Sequence, residues 1–512
     1  MADTFHYWVA FTDKKDTPFS VEYPEDYLSL RSIERRNRQN IAIDTTDLPV
    51  NAEYINAVKA VGATIVGTSK WMNGATIMVN DSTTIMPQIR ALTFVKYIQL
   101  TKTTSAAPAP QHHARKKFEE NIVLTKDSAF IQKHIHQLDG LHALGFRGEG
   151  IHIAVIDGGF LNVDKIEGFD SLRTDGRILG TRNFVRNTSV YGNEVHGTAV
   201  LSAMAANEPG VMVGAAPKAS YWLLVSEDAL TESLLETDNW VRAMEFADSV
   251  GVDVVNSSLG YSTFDDETTS WTYADMDGST RISQAAVMAA RKGMLLCISA
   301  GNEGTNPWHY ITAPADADSI LTVGSVTRAG KLSPFSSYGP AADGRTKPTV
   351  CAVGTDASLY WSDGSVYESN GTSFASPTMA GAVACLWQAC PQLNNMELID
   401  LIKQCSSRAN GPDNTMGYGV PDVLKAYYLS TDIKVIPADS GADIYPNPFT
   451  EKLVIGVNRP VMVAIYDMLG REIYCKTIIS KEEINAERWS TGVYFVRIAG
   501  ERNNIVQKVV KQ

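Results

Sequence analysis

The sequence predicts an α/β protein: a parallel sheet with helices on both faces, preceded by a small α+β domain and followed by an all-β module. Three observations carry this expectation. From Gly140 onward, near-continuous apolar runs alternate with helical patterns, as in parallel strands buried on both faces. Residues 1–100 read β-α-β-β-α-β once one extra helix is set aside, the split βαβ arrangement. From Asp443 to Lys511, apolar and polar residues alternate with no clear helix.

In chain order, Phe5-His6-Tyr7-Trp8-Val9-Ala10-Phe11 reads as a strand, and a helix with an arginine-rich face is expected from Pro24 to about Asn40. A second helix runs from Asn51 to Val61 and stops at Gly62. Strand-like runs follow at 63–68 and 75–79, then a short helix from Asp81 and a last strand from Phe94 to Leu100. Thr101 to about Glu120 reads as a linker rich in Thr, Ser, Ala and Pro; its basic run, His112-His113-Ala114-Arg115-Lys116-Lys117, is expected to be solvated. Proteolytic nicking concentrates in such exposed segments. Four apolar strands are then expected, at 150–157, 252–259, 294–300 and 320–326. The expected domains are 1–104, a linker with a processing site at 105–128, the α/β domain at 129–430 and the β-module at 431–512.

Composition narrows the function. With 512 residues the chain is too long for one ordinary domain, and 44% hydrophobic with 20% charged residues is a globular composition. A net charge of −12 argues against nucleic acid as the main partner. No apolar run is long enough to span a membrane. Met1-Ala2-Asp3-Thr4 lacks the pattern of a signal peptide, so either the protein stays inside or the chain begins after a removed signal. Six cysteines with no C-x-x-C pair do not make a disulfide framework; Cys297, Cys351 and Cys385 are expected to be buried thiols.

The stretch Ser369-Asn370-Gly371-Thr372-Ser373-Phe374-Ala375-Ser376-Pro377 and its continuation carry no charge until Glu397. They read as a turn feeding a helix buried on all sides, with Thr372 or Ser373 able to cap the first turn. A hydroxyl at a helix N-terminus meets unpaired N–H groups and a positive dipole end, a good setting for a nucleophile. Acyl transfer by serine also needs a base, a carboxylate to orient the base, and donors for the oxyanion. Asp157 ends an apolar strand before Gly158-Gly159; His196 precedes Gly197-Thr198 and a small-residue helix; Asn302 follows Ser299-Ala300-Gly301. Each alone has a plainer reading: a turn carboxylate, a satisfied core histidine, a turn asparagine.

Together, Asp157, His196, Asn302 and Ser373, each within its own motif and in this order, resemble the subtilisin-like serine proteases. Val155-Ile156-Asp157-Gly158-Gly159, His196-Gly197-Thr198, Asn256-Ser257-Ser258-Leu259-Gly260, Ser299-Ala300-Gly301-Asn302 and Gly371-Thr372-Ser373 carry the resemblance, which covers about residues 130 to 428. It implies a subtilisin-like fold with Asp157, His196 and Ser373 as the catalytic set and Asn302 in the oxyanion hole. It also implies that Ser257, Ser258, Leu259, Gly260, Ala300 and Gly301 line a cleft for an extended peptide. No cofactor is implied for catalysis; a structural calcium fits the resemblance but is assigned to no residues. The loop 261–277 looks inserted beside the cleft; its Asp265, Asp266 and Glu267 are expected to be solvated, the alternative being that the loop shapes specificity or binds a cation through them.

The N-terminal domain, of ferredoxin-like pattern, resembles the inhibitory propeptides of this family. Its last strand is expected to deliver Thr101-Lys102-Thr103-Thr104 towards the cleft. The tail, with Ile444-Tyr445-Pro446-Asn447-Pro448-Phe449 and Gly492-Val493-Tyr494-Phe495-Val496, resembles the C-terminal sorting domain that Bacteroidetes use for type IX secretion. The expectation is a secreted or surface-attached serine endopeptidase made as a proenzyme. Its partners would be protein or peptide substrates, its own propeptide and the secretion machinery. The rivals are a catalytically silent surface-binding protein on the same fold, and a serine exopeptidase or peptide ligase.

Overall fold

A computed structural model describes residues 3–104, 122–123, 132–192, 194–431, 442–457, 460–467, 471–499 and 504–512. Residues 1–424 form one compact unit and 425–512 a second.

The chain opens with strands β1 (Thr4–Phe11), β2 (Thr64–Ser69), β3 (Gly74–Val79) and β4 (Val95–Thr104) and helices α1 (Leu30–Arg38), α2 (Ala52–Ala60) and α3 (Ser82–Arg90). The antiparallel sheet has the order β2-β3-β1-β4, the split βαβ topology. Two sequence expectations need correcting here. The helix expected from Pro24 to Asn40 is broken into a 3₁₀ turn at Pro24–Asp26 and α1. Ser29 is the reason: its extended backbone lets its side chain accept from the Ser32 N–H, which starts a new helix. The last strand runs on past Leu100, because β4 goes on pairing with β1 through Thr101–Thr104: His6 faces Lys102, Phe5 faces Thr103 and Thr4 faces Thr104. The edge of β1 offers backbone partners and the segment takes them. The processing site expected at 105–128 lies outside the described residues save Ile122–Val123, which pair with Val366–Ser369.

This domain docks on the helices Leu234–Ser249 and Arg281–Arg291. Arg35 and Arg36, both buried, reach Asp248 at 2.6 and 2.8 Å. Glu245 accepts from the Ser69 hydroxyl and, at 2.9 Å, from the Lys70 N–H. Asp238 accepts from Thr76 Oγ1 at 3.0 Å and from Arg281 at 2.7 Å. The arginine-rich face of α1 is thus spent on an interface, where burial of charge is tolerated because each charge is paired.

The central sheet has seven parallel strands in the order Val350–Val353, Leu321–Val326, Leu295–Ser299, Val254–Ser257, His152–Asp157, Ser220–Val225 and Ile178–Asn183. The expected strands are all present, some shorter than read: 252–259 becomes Val254–Ser257, because Ser258–Gly260 leave the sheet. The first of these seven strands in chain order, His152–Asp157, lies between later strands that depart in opposite directions. Its carboxyl end is therefore a topological switch point, where open α/β sheets bind ligands. The helix Thr372–Ala389 is apolar and buried nearly throughout, with Ser373 half-buried at its start. Cys297, Cys351 and Cys385 are buried; burial pushes the Cys351 thiol up to about 12.

The C-terminal unit packs two antiparallel sheets. One has the order Ala442–Tyr445, Lys452–Val457, Lys481–Asn485; the other Glu472–Ile478, Val461–Asp467, Gly492–Ala499, Asn504–Lys511. Leu453 and Ile455 of the first and Val463, Ile465 and Val496 of the second share one core, as alternation predicts for a sandwich.

Candidate active site

Asp157, the last residue of its strand, is fully buried, and Gly158 N–H donates to its Oδ1 at 2.8 Å. The same oxygen lies 2.7 Å from His196 Nδ1. His196 opens the helix His196–Ala205, and Glu194 Oε1 accepts from Val195 N at 2.9 Å and His196 N at 3.2 Å, filling two of the donors a helix start leaves unpaired. The helix can approach the strand only because position 197 is glycine; a Cβ there would collide with the Gly159 carbonyl oxygen and lie 3.0 Å from Asp157 Cβ. With Nδ1–H donating to the carboxylate, Nε2 is the basic nitrogen of a neutral ring.

Ser373 is the second residue of its helix. Neither it nor Thr372 caps that helix with its side chain, contrary to expectation. The first turn is held from outside: Asn302 Oδ1 accepts from both Thr372 N and Thr372 Oγ1 at 2.9 Å, and Gly301 N–H donates to Thr372 Oγ1 at 3.2 Å. This anchors the carbonyl end of the Asn302 amide and leaves its NH₂ donors unused among the described residues. Ser258 Oγ donates to Ser373 O at 2.8 Å and accepts from Asn256 Nδ2 at 3.1 Å, while Ser376 Oγ donates to Asn256 Oδ1 at 2.8 Å. Strand and helix are tied by a buried polar network, which fixes geometry only because its members satisfy one another. Ser373 Oγ lies 3.4 Å from Ser258 O. The Phe374 ring stands 6.0 Å from the His196 ring, so the serine helix and the histidine helix begin side by side.

The cleft residues divide by what their side chains do. Ser257 accepts from Trp240 Nε1 at 2.9 Å, and Leu259 and Ala300 are buried in the core. Their side chains face inward, so only backbone can face a ligand. Leu259 and Gly260 make no backbone hydrogen bond among the described residues, which leaves an edge open to an added strand. Gly260 is exposed, and a Cβ there would collide with Thr312 Oγ1; Gly301 has φ +107°, a conformation that favours glycine.

Four residues hold positioning roles that the sequence reading does not assign: Glu194, Asn256, Thr372 and Ser376. A polar Asn256 inside an apolar central strand was the one available signal, since a buried amide demands partners. In the loop 261–277, Asp265, Asp266 and Glu267 are exposed, as expected. Tyr261 and Phe264 are core residues, and Asp265 Oδ2 accepts from Glu232 N at 3.0 Å while Asp266 caps a local turn. Among the described residues the acidic side chains that gather are instead Glu227, Glu232 and Glu236.

The sequence profile of the Subtilase family matches residues 148–419. The chain belongs to the subtilase family. Residues 6–119 of this subtilase match the Peptidase S8 propeptide domain of Bacteroidota, and 443–512 the secretion system C-terminal sorting domain. It is similar to Subtilisin NAT of Bacillus subtilis subsp. natto, 30% identical over 285 residues, and to Subtilisin DY of Bacillus licheniformis, 30% identical over 289 residues. These alignments cover 54% and 55% of this chain, and 65% and 91% of the relatives. The sorting domain marks the subtilase as a secreted or cell-surface protein. Among the described residues no helix is long and apolar enough to cross a membrane.

Proposed function

We propose that this subtilase is a serine endopeptidase, made as a proenzyme, that cleaves exported or external proteins through an acyl-enzyme. The observation that carries the proposal is the 2.7 Å Asp157–His196 bond at the sheet's switch point, beside a helix start that holds Ser373 and anchors Asn302. Ser373 Oγ attacks the scissile carbonyl carbon as His196 Nε2 takes its proton. Asp157 keeps the imidazole in that tautomer and stabilises the imidazolium. The Ser373 backbone N–H and the Asn302 NH₂ receive the negative charge on the carbonyl oxygen. Collapse of the tetrahedral adduct breaks the C–N bond, with the proton passing from His196 to the leaving amine; water then repeats the sequence to release the acid. The free edge at Leu259–Gly260 would hold the substrate as an added strand, and the N-terminal domain would inhibit the enzyme until it is removed by processing.

The test is Ser373→Ala. The change removes one atom from a half-buried side chain, so folding should be normal, while turnover of an internally quenched peptide blocked at both ends should fall by about 1000-fold or more. Phenylmethylsulfonyl fluoride should label the parent and spare the variant. Cleavage that requires a free terminus would make the protein an exopeptidase, and labelling that persists in the variant would remove Ser373 from the mechanism.

A further inference from the structure

Beside Asp157 lies a second acidic assembly that the proposed chemistry does not use. Glu227, Glu232 and Glu236 each bring a carboxylate oxygen to within 4.8 Å of the others, and Glu227 and Glu236 are buried. Like charges this close in a desolvated setting repel strongly. Their place in the fold is defined from two sides. Glu227 follows the strand Ser220–Val225, whose Val225 pairs with Asp157, and a Cβ on Gly158 would lie 3.5 Å from Glu227 Oε2. Glu232 is bonded both ways to Asp265, four residues beyond Tyr261 and the open edge at Leu259–Gly260: Glu232 N to Asp265 Oδ2 at 3.0 Å, Asp265 N to Glu232 O at 2.8 Å. The three carboxylates thus stand on the cleft wall between the Asp157 strand end and the edge available to a peptide.

Two further observations indicate what they hold. Tyr261 is 1% exposed, yet its hydroxyl has no hydrogen-bond partner among the described residues; burial first, then the charges of Glu227, Glu236 and Glu232, push the phenol well above its usual range. A buried hydroxyl in the field of three carboxylates, bonded to none of them, leaves a place for a ligand with several donors. Independently, the chain already sets a cation at the rim. Lys102 Nζ, on β4, donates to Thr231 Oγ1 at 2.8 Å, and that hydroxyl in turn donates to Glu236 Oε1 at 3.4 Å. Calcium is the poorer fit. It takes six to eight oxygens, and Glu236 Oε1 is already committed to Ser233 N at 3.0 Å in the helix capping box. An ammonium or guanidinium needs fewer, directional acceptors.

We infer that Glu227, Glu232 and Glu236 form a specificity subsite for a lysine or arginine side chain of a polypeptide lying along Leu259–Gly260. The inference rests on the reading of the chain as an endopeptidase and names its substrate class: proteins presenting a basic residue near the cut. The N-terminal domain brings Lys102 to the edge of the same acidic group, so its departure opens the subsite to substrate.

The test compares internally quenched peptides carrying arginine, or its neutral isostere citrulline, at one position at a time on either side of the cut, using the self-processed enzyme. At one or two positions arginine should raise kcat/KM about tenfold over citrulline. Glu227→Gln/Glu232→Gln should bring that ratio to within about twofold of unity. Glu232→Gln alone, at a partly exposed residue outside the helix cap, should lower it in part if the double variant fails to fold. Equal rates for arginine and citrulline at every position in the wild type would overturn the subsite, as would a preference left undiminished by either variant. Equal rates together with a calcium-dependent rise in melting temperature, lost in Glu232→Gln, would overturn it in favour of a metal site. Cleavage of neither peptide would instead be the failure of the endopeptidase reading.

Discussion

Replacing Arg35 by Met should weaken the hold of the N-terminal domain on the rest of the chain by about 30- to 150-fold. Arg35 is 1% exposed, with Nη2 2.6 Å from Asp248 Oδ1 and Nη1 bonded to the Val252 carbonyl. Both partners lie across the interface, so the free domain loses no internal bond. Truncating one member of a buried, hydrogen-bonded charge pair costs about 2–5 kcal/mol. Asp248 keeps two bonds to Arg36 at 2.8 Å and one to Lys70 at 3.3 Å, so it is not left uncompensated. The lower part of the range, about 2–3 kcal/mol, then applies, and about 1.4 kcal/mol per tenfold gives the stated factor. Met keeps much of the apolar stem, which limits loss from packing. The assay is inhibition of the processed enzyme by a polypeptide of residues 1–104, with circular dichroism to confirm equal folding of both versions. The difference between them should survive a rise from about 0.1 to 1 M salt, because screening acts weakly on buried pairs. An inhibition constant within about threefold of the parent's would refute the claim that buried ion pairs hold this interface.

Asn302→Asp keeps the oxygen that accepts from Thr372 but loses the NH₂ donors. The helix start should survive while kcat falls about 100- to 1000-fold, the size known for such a donor in a subtilisin, with KM little changed. His136 is fully buried with Nδ1 3.0 Å from Pro421 O, and burial, opposed by that carbonyl, lowers its pKa to about 4. The unfolded chain therefore takes up the proton first as pH falls. Stability from this site is whole above about 6.5 and drains by roughly 3 kcal/mol as pH drops to about 4. Burial lowers His6, His142 and His152 in the same way, so calorimetry of the Ser373→Ala protein should show a larger total loss, which His136→Gln should reduce by roughly 3 kcal/mol; an unchanged slope would clear His136 of its share. Deleting the chain from Asp443 onward should leave peptidase activity intact and retain the protein inside a host with the matching secretion system, read by immunoblot of medium and cells; normal export of the truncated chain would assign the module another role.

The amino-acid sequence by itself determined the layers of this protein and the local frame of its candidate site. Strands such as His152–Asp157 and Leu295–Ser299 are buried on both faces, so their apolar runs announce a parallel sheet, and alternation in the tail announces a sandwich. Asp157, His196 and Ser373 were legible because each stands at the end of such a run or the start of a helix, inside a motif of adjacent residues. What the tertiary structure alone decided is which distant groups meet. Asn302 anchors Thr372 across 70 residues, and Ser258 bonds Ser373 O across 115. Lys102 reaches Thr231 across 129 residues, beside three glutamates that look like ordinary helix and loop charges in the sequence. The continuation of β4 through Thr104 depended on the free edge of β1, about 100 residues earlier in the chain. Periodicity and capping are local, within a few residues, so the sequence displays them directly. Hydrogen-bond partners of buried polar groups are chosen only when strands and helices have packed, because the cost of leaving them unpaired arises only then.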